Sequence, residues 1–181
     1  MDTMSGLKRT NYCGETSGVG KEVVVGGYVQ KIRDMGNLIF IDLRDRTGIV
    51  QLAFNDTTDR AVFEKAAQCR SEYVLMAKGV VRERESKNPD LKTGDIEIMV
   101  SDLRILAKAQ TPPFEVVDNT NTNEELRLRY RYLDLRRNVL QQNLIMRSKI
   151  AKSARDYFYE NGFIEIETPM MIKSTPEGAR D

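Results

Sequence analysis

The chain has 181 residues, 40% hydrophobic and 30% charged, with 28 basic residues set against 27 acidic ones. That is a globular composition, long enough for one domain and part of a second, and too evenly charged for any overall field to draw it to nucleic acid; such a partner would need a local patch. There is no histidine, which removes the commonest general base and every Ser-His or Cys-His nucleophile arrangement. Cys13 and Cys69 are too far apart for a metal-ligand pair. No apolar run approaches the ~18 residues of a spanning helix. With no signal-like stretch at the N-terminus, a reduced cytoplasmic setting is expected, with no metal site and no membrane partner.

The first hundred or so residues read as short strands separated by turns. Val23 to Arg33 (VVVGGYVQKIR) is rich in β-branched residues, and Asp34 to Asn37 (DMGN) supplies hairpin-turn chemistry. Leu38 to Arg44 (LIFIDLR) follows, then a turn at Asp45 to Gly48 and a third strand from Ile49 to Phe54. Asp59 to Arg70 changes period: Val62, Ala66 and Cys69 share one helical face, with Phe63 and Ala67 beside them. Strand character returns at Glu72 to Arg84 and Asp95 to Ile105, around the polar loop Glu85 to Gly94. Three strands, a helix and two strands match the OB-fold, a small Greek-key barrel used for oligonucleotides, although another small barrel topology would give the same string.

The OB-fold domain is thus assigned to residues 1–107. Lys108 to Asn123, with Pro112-Pro113 and an Asn/Thr cluster, reads as a linker. Glu124 to Arg137 and Leu140 to Glu160 read as helices, the second with an apolar stripe of Leu140, Leu144, Ala151, Ala154 and Phe158. Asn161-Gly162 is a C-terminal stop, and Phe163 to Glu167 alternates as a strand ended by Thr168-Pro169. Residues 124–181 are too few to close an enzyme-sized core, so this second domain is expected to be an α+β start only.

Alternation on the second strand places Ile39, Ile41 and Leu43 on the core face and Phe40, Asp42 and Arg44 on the other. An aromatic ring on that polar face suits a stacking platform for an unpaired base. It equally suits packing beneath a loop or a neighbouring domain. On the third strand Val50, Leu52 and Phe54 face inward and Gln51 outward, as an amide able to read a base edge or simply as a solvated residue. Lys31, Arg33 and Arg84 offer phosphate-pairing charge or soluble strand ends, and Glu97 lies on the non-core face of the last strand. The five arginines of Glu124 to Arg137 read as a solvated helix face, and Glu177 as a loop carboxylate.

Four segments bear a more specific likeness. Gly162 to Pro169 (GFIEIETP), after a long helix, resembles motif 1 of the class II aminoacyl-tRNA synthetases. Thr175 to Asp181 (TPEGARD) resembles the signature of the aspartate enzymes, and Leu126 to Arg137 (LRLRYRYLDLRR) is similar to their domain-opening segment. Arg9 to Gly14 (RTNYCG) and Phe40 to Asp45 (FIDLRD) resemble the bacterial type.

The resemblance implies ATP-dependent activation of L-aspartate with Mg2+ and its transfer to tRNA-Asp by a homodimeric ligase. It implies that Phe40 stacks on an anticodon base, that Arg33, Gln51 and Glu97 read the anticodon, and that Arg84 makes a further tRNA contact. Glu177 would contact L-aspartate and Pro169 would lie at the dimer interface. Motifs 2 and 3 would follow Asp181, so no complete catalytic site and no bound cofactor are expected in these 181 residues. The family often has Trp at Tyr28 and an arginine run at Lys31-Ile32-Arg33, so Ile32 would remove one charge from the tRNA-facing edge. Met35 stands where the family decides whether tRNA-Asn is also accepted, which leaves that open. The competing readings are an asparaginyl- or lysyl-tRNA synthetase, against which the aspartate signature argues, and a stand-alone OB-fold module for single-stranded nucleic acid.

Overall fold

The computed structural model describes residues 1–171 and divides into two compact units, one from Met1 to Pro113 and one beginning at Phe114. In the first, five strands close a barrel: β1 (Glu22–Asp34), β2 (Ile39–Asp45), β3 (Gly48–Phe54), β4 (Val74–Glu83) and β5 (Ile96–Ala107), in the spatial order β1-β2-β3-β5-β4. All neighbours are antiparallel except β3 and β5, which run parallel and close the ring. This is the expected OB-fold barrel. Helix α1 (Arg60–Ala67) stands between β3 and β4, started by the Asp59 carboxylate, which accepts from the amides of Ala61 (2.9 Å) and Val62 (3.3 Å).

The pleat fills the interior as alternation requires. Ile39, Ile41, Leu43, Val50, Leu52 and Phe54 are fully buried beside Leu75, Ala77, Ile98 and Leu103, and Val62 and Phe63 of α1 pack against them. One irregularity in β1 matters for function. Val29 is opposite Leu43, but the register then shifts and Lys31 is opposite Asp42, so Gln30 is a bulged residue. Before the bulge Val23, Val25 and Val29 face inward. After it Ile32 faces inward against Ile41, and Lys31 and Arg33 face outward. Ile32 therefore packs on the core, and its aliphatic side chain takes no charge from the outer face, contrary to the expectation above.

Barrel curvature depends on backbone approaches that only glycine permits. A Cβ on Gly79, where β4 shifts register against β5, would lie 2.2 Å from the carbonyl oxygen of Met99. The N-terminal segment is tied to the barrel at Asp45, whose carboxylate accepts from the Cys13 amide (2.7 Å) and from the amide (2.8 Å) and hydroxyl (2.7 Å) of Thr47. Burial alone would raise the Asp45 pKa, but these hydrogen bonds together hold it below its usual value. Both cysteines are buried free thiols, with burial pushing Cys69 up to about 11.

The second unit departs from expectation in three places. The segment expected as one helix from Glu124 to Arg137 is two, α2 (Glu124–Arg129) and α3 (Arg131–Asp134), broken at Tyr130 with φ −108° and ψ 47°. Its arginines do not simply line a solvated face. Arg127, Arg131 and Arg137 converge on the fully buried carboxylate of Asp134 at 3.7, 2.8 and 2.8 Å. The Arg137 contact lacks hydrogen-bond geometry and is an ion pair only. Helix α4 (Asn138–Glu160) forms as expected and ends at Gly162 with φ +84°. Phe163 to Glu167 is not a strand; a strand needs a neighbour, and none of the described residues pairs with it.

Two stability predictions follow from these contacts. Gly79→Ala is expected to lower the urea-unfolding free energy of the barrel by about 1–3 kcal/mol, the range for forced overpacking. Asp45 has a lowered folded pKa, so its contribution to stability is present above the ordinary carboxylate range and is lost as pH falls through the folded value. Thermal melts from pH 6 down to pH 2 should therefore fall less steeply for Asp45→Asn than for the unaltered chain.

Candidate nucleic-acid interface

Strand register sets the outer face of the barrel residue by residue. Lys31 is opposite Asp42, Asp42 opposite Gln51, Gln51 opposite Glu97 across the parallel pair, and Glu97 opposite Arg82. A single row of polar side chains thus crosses all five strands. The adjacent row runs Arg33, Phe40, Ala53, Met99 and Val80. Arg33 and Phe40 sit side by side in it, with the guanidinium carbon 5.5 Å from the ring centroid.

The polar row is joined by hydrogen bonds. Arg33 Nη2 donates to Gln51 Oε1 (2.8 Å) and to Asp42 Oδ1 (3.1 Å). Gln51 Nε2 donates to Glu97 Oε2 (2.6 Å), and Arg82 Nε donates to Glu97 Oε1 (2.7 Å). Gln51 and Glu97 are only 4% and 3% exposed. Gln51 is therefore no solvated strand residue: flanking side chains cover it, and both ends of its amide are engaged. A buried carboxylate on an outer strand face is tolerated because Arg82 and Gln51 each satisfy one of its oxygens.

Arg33, Gln51, Arg82 and Glu97 line a concavity of about 420 Å³, whose rim adds Met35, Leu38 and Asn55 from the β1–β2 and β3–α1 turns and Arg84, Glu85 and Ser86 from the end of β4. Phe40 is half-buried and forms part of the wall. The Nε donors of Arg33 and Arg84 are buried without a hydrogen-bond partner, so each guanidinium retains unused donor capacity at the site. The fold brings Arg33, Phe40, Gln51, Arg84 and Glu97 together on one face. Lys31 is exposed at the end of the polar row.

Arg82 and Asp42 are the members that sequence reasoning did not single out as contributors. Alternation on β4 carried the signal for Arg82, because Leu75, Ala77 and Val81 face inward and the even positions therefore face out. Pro169 lies exposed near the end of the described chain, and Glu177 lies outside the described residues. Among the described residues no three His, Cys, Asp or Glu side chains gather as a metal site, and no helix is long and apolar enough to cross a membrane.

Comparison with known proteins agrees with both units. Residues 23–106 match the family described as OB-fold nucleic acid binding domain, and residues 123–181 match tRNA synthetases class II (D, K and N). The chain is 55% identical to an aspartate–tRNA(Asp/Asn) ligase of Caldanaerobacter subterraneus, over 99% of this chain and 31% of that protein. It is 55% identical to an aspartate–tRNA ligase of Limosilactobacillus fermentum, over 97% and 30% respectively. The chain thus spans about a third of the length of these curated relatives. Among solved structures, asparaginyl-tRNA synthetase from Pyrococcus horikoshii in complex with asparaginyl-adenylate superposes with a TM-score of 0.76 at 26% identity, covering 95% of this chain and 39% of that one. Its identity is less than half that of the aspartate enzymes, so the asparaginyl reading is not favoured, and the synthetase match over residues 123–181 leaves a stand-alone barrel unfavoured as well. The chain is thus similar to class II tRNA synthetases over residues 123–181 and, along practically its whole length, to about a third of aspartate–tRNA ligases.

Proposed function

We propose that the barrel binds the anticodon loop of tRNA-Asp, as the recognition part of a ligase that activates L-aspartate with ATP and Mg2+ and transfers it to that tRNA. The observation that carries this reading is the joining of a half-buried aromatic ring, a buried amide–carboxylate pair and three guanidiniums around one concavity. Stacking binds any base, because every base has a π-face. The amide and carboxylate add edge readout, and the arginines add phosphate pairing.

In this scheme Phe40 is the stacking platform, Arg33, Gln51 and Glu97 read the anticodon, and Arg84 contacts the tRNA at the rim. Glu177 contacts the L-aspartate substrate. Pro169 and the α4 face lie at a homodimer interface, a role suited to the exposed Leu144, Ile145 and Ile150. Met35, 68% exposed at the tip of the β1–β2 turn and on the rim of the concavity, touches the first base to enter and sets tolerance for tRNA-Asn. The domain scheme of a barrel over 1–107, a linker over 108–123 and a catalytic portion from 124 onward belongs to the same proposal, as does a cytoplasmic setting.

Binding of an anticodon stem–loop of tRNA-Asp tests it. Phe40→Ala should weaken that binding by about 1–3 kcal/mol, the value of one aromatic–base stack, with little change in the melting temperature. Ile41→Ala should instead reduce fold stability by about 2–5 kcal/mol. Comparable unfolding by both variants would make Phe40 a core residue and remove the stacking role. Arg33→Ala should weaken binding and reduce the slope of log affinity against log salt, which fluorescence anisotropy over a salt series measures directly.

A further inference from the structure

Gln51 is an amide whose two ends carry opposite information, and what it reads depends on which end faces the concavity. Glu97 as a carboxylate only accepts hydrogen bonds, and Arg33 as a guanidinium only donates them. With Nε2 on Glu97 Oε2 and Oε1 on Arg33 Nη2, a flip of the amide would set carbonyl oxygen against carboxylate and NH2 against guanidinium. Both contacts would become repulsive. Glu97 in turn is held by Arg82, directly opposite it on β4, at 2.7 Å. Arg82 itself makes no hydrogen bond to Gln51.

We infer that Arg82 is a positioning residue for specificity: by holding the Glu97 carboxylate it fixes the flip of the Gln51 amide, so that the carbonyl end, next to an Arg33 donor, is the end presented to a base. An acceptor beside a donor complements a base edge with a ring N–H beside a carbonyl, as in uracil and guanine. It opposes the unprotonated ring nitrogen of cytosine and adenine. The inference rests on the binding face proposed above.

Two measurements on the 181-residue chain keep the inference and that reading apart. The first needs no nucleic acid. In 1H–15N spectra of the free chain, the Gln51 side-chain amide, assigned by its loss in Gln51→Leu, should exchange slowly with solvent. In Arg82→Gln it should exchange faster and move toward ordinary glutamine shifts, while Arg82→Lys retains part of the protection. The second is binding of anticodon stem–loops in which each keto base is replaced in turn by its amino counterpart, uracil by cytosine and guanine by adenine. At the position Gln51 reads, Arg82→Gln should shrink the keto-over-amino preference by about tenfold, roughly one hydrogen bond. At the other loop positions the keto-over-amino preference should stay unchanged.

Unchanged amide exchange in Arg82→Gln overturns the inference, as does an unchanged preference with uniform weakening. A chain that binds no stem–loop while its Gln51 amide still responds to Arg82 refutes the anticodon reading and leaves the clamp as a structural fact.

Discussion

The parallel pairing of β3 with β5 is the contact on which the rest of the first unit depends. It is the only parallel neighbour in the barrel, and it joins strands separated in sequence by α1 and β4. By setting Leu52 opposite Ile98 it closes the hydrophobic interior, and by setting Gln51 opposite Glu97 it creates the polar pair outside. Core and site are two faces of one register. A slip of one residue along β5 would send Ile98 to solvent and Glu97 into the interior, so the burial that stabilises the barrel also enforces the alignment of the amide and its carboxylate.

The same coupling explains what could be read from the sequence. The strands, the turn at Asp34 to Asn37 and the inward triads on β2 and β3 follow from alternation, which is local. So does the outward placement of Phe40, Gln51 and Glu97. Alternation does not say which outward residues become neighbours, because that depends on pairing between distant strands. Arg82 shared the parity of Arg84 and drew no comment, yet it is the one that stands opposite Glu97. Gln51 looked solvated for the same reason: its cover comes from Arg33 on β1 and Glu97 on β5, 18 and 46 residues away.

The second unit misled sequence reading in a different way. Periodicity over Glu124 to Arg137 suggested one helix, but the chain breaks at Tyr130, and the arginines read as a solvated face instead surround the buried Asp134 carboxylate and offset its desolvation. Removing Asp134 would leave Arg127 and Arg137 partly buried without their anion. Phe163 to Glu167 has strand sequence and no strand structure, because alternation prepares a strand and pairing makes one. Helix α4 has the converse property. Its hydrogen bonds are internal, so it forms with no buried residue of its own and displays its apolar side chains.

The bulge at Gln30 gives pairing register a chemical meaning. Everything before it on β1 follows one parity and everything after it the other, so the single extra residue decides whether Arg33 or Ile32 reaches the outer face. Pairing the same residues without the bulge would delete no charge and change no composition, yet it would aim two cations at the interior and an isoleucine at the ring of Phe40. At this point on the barrel a change of pairing register acts as a multiple substitution.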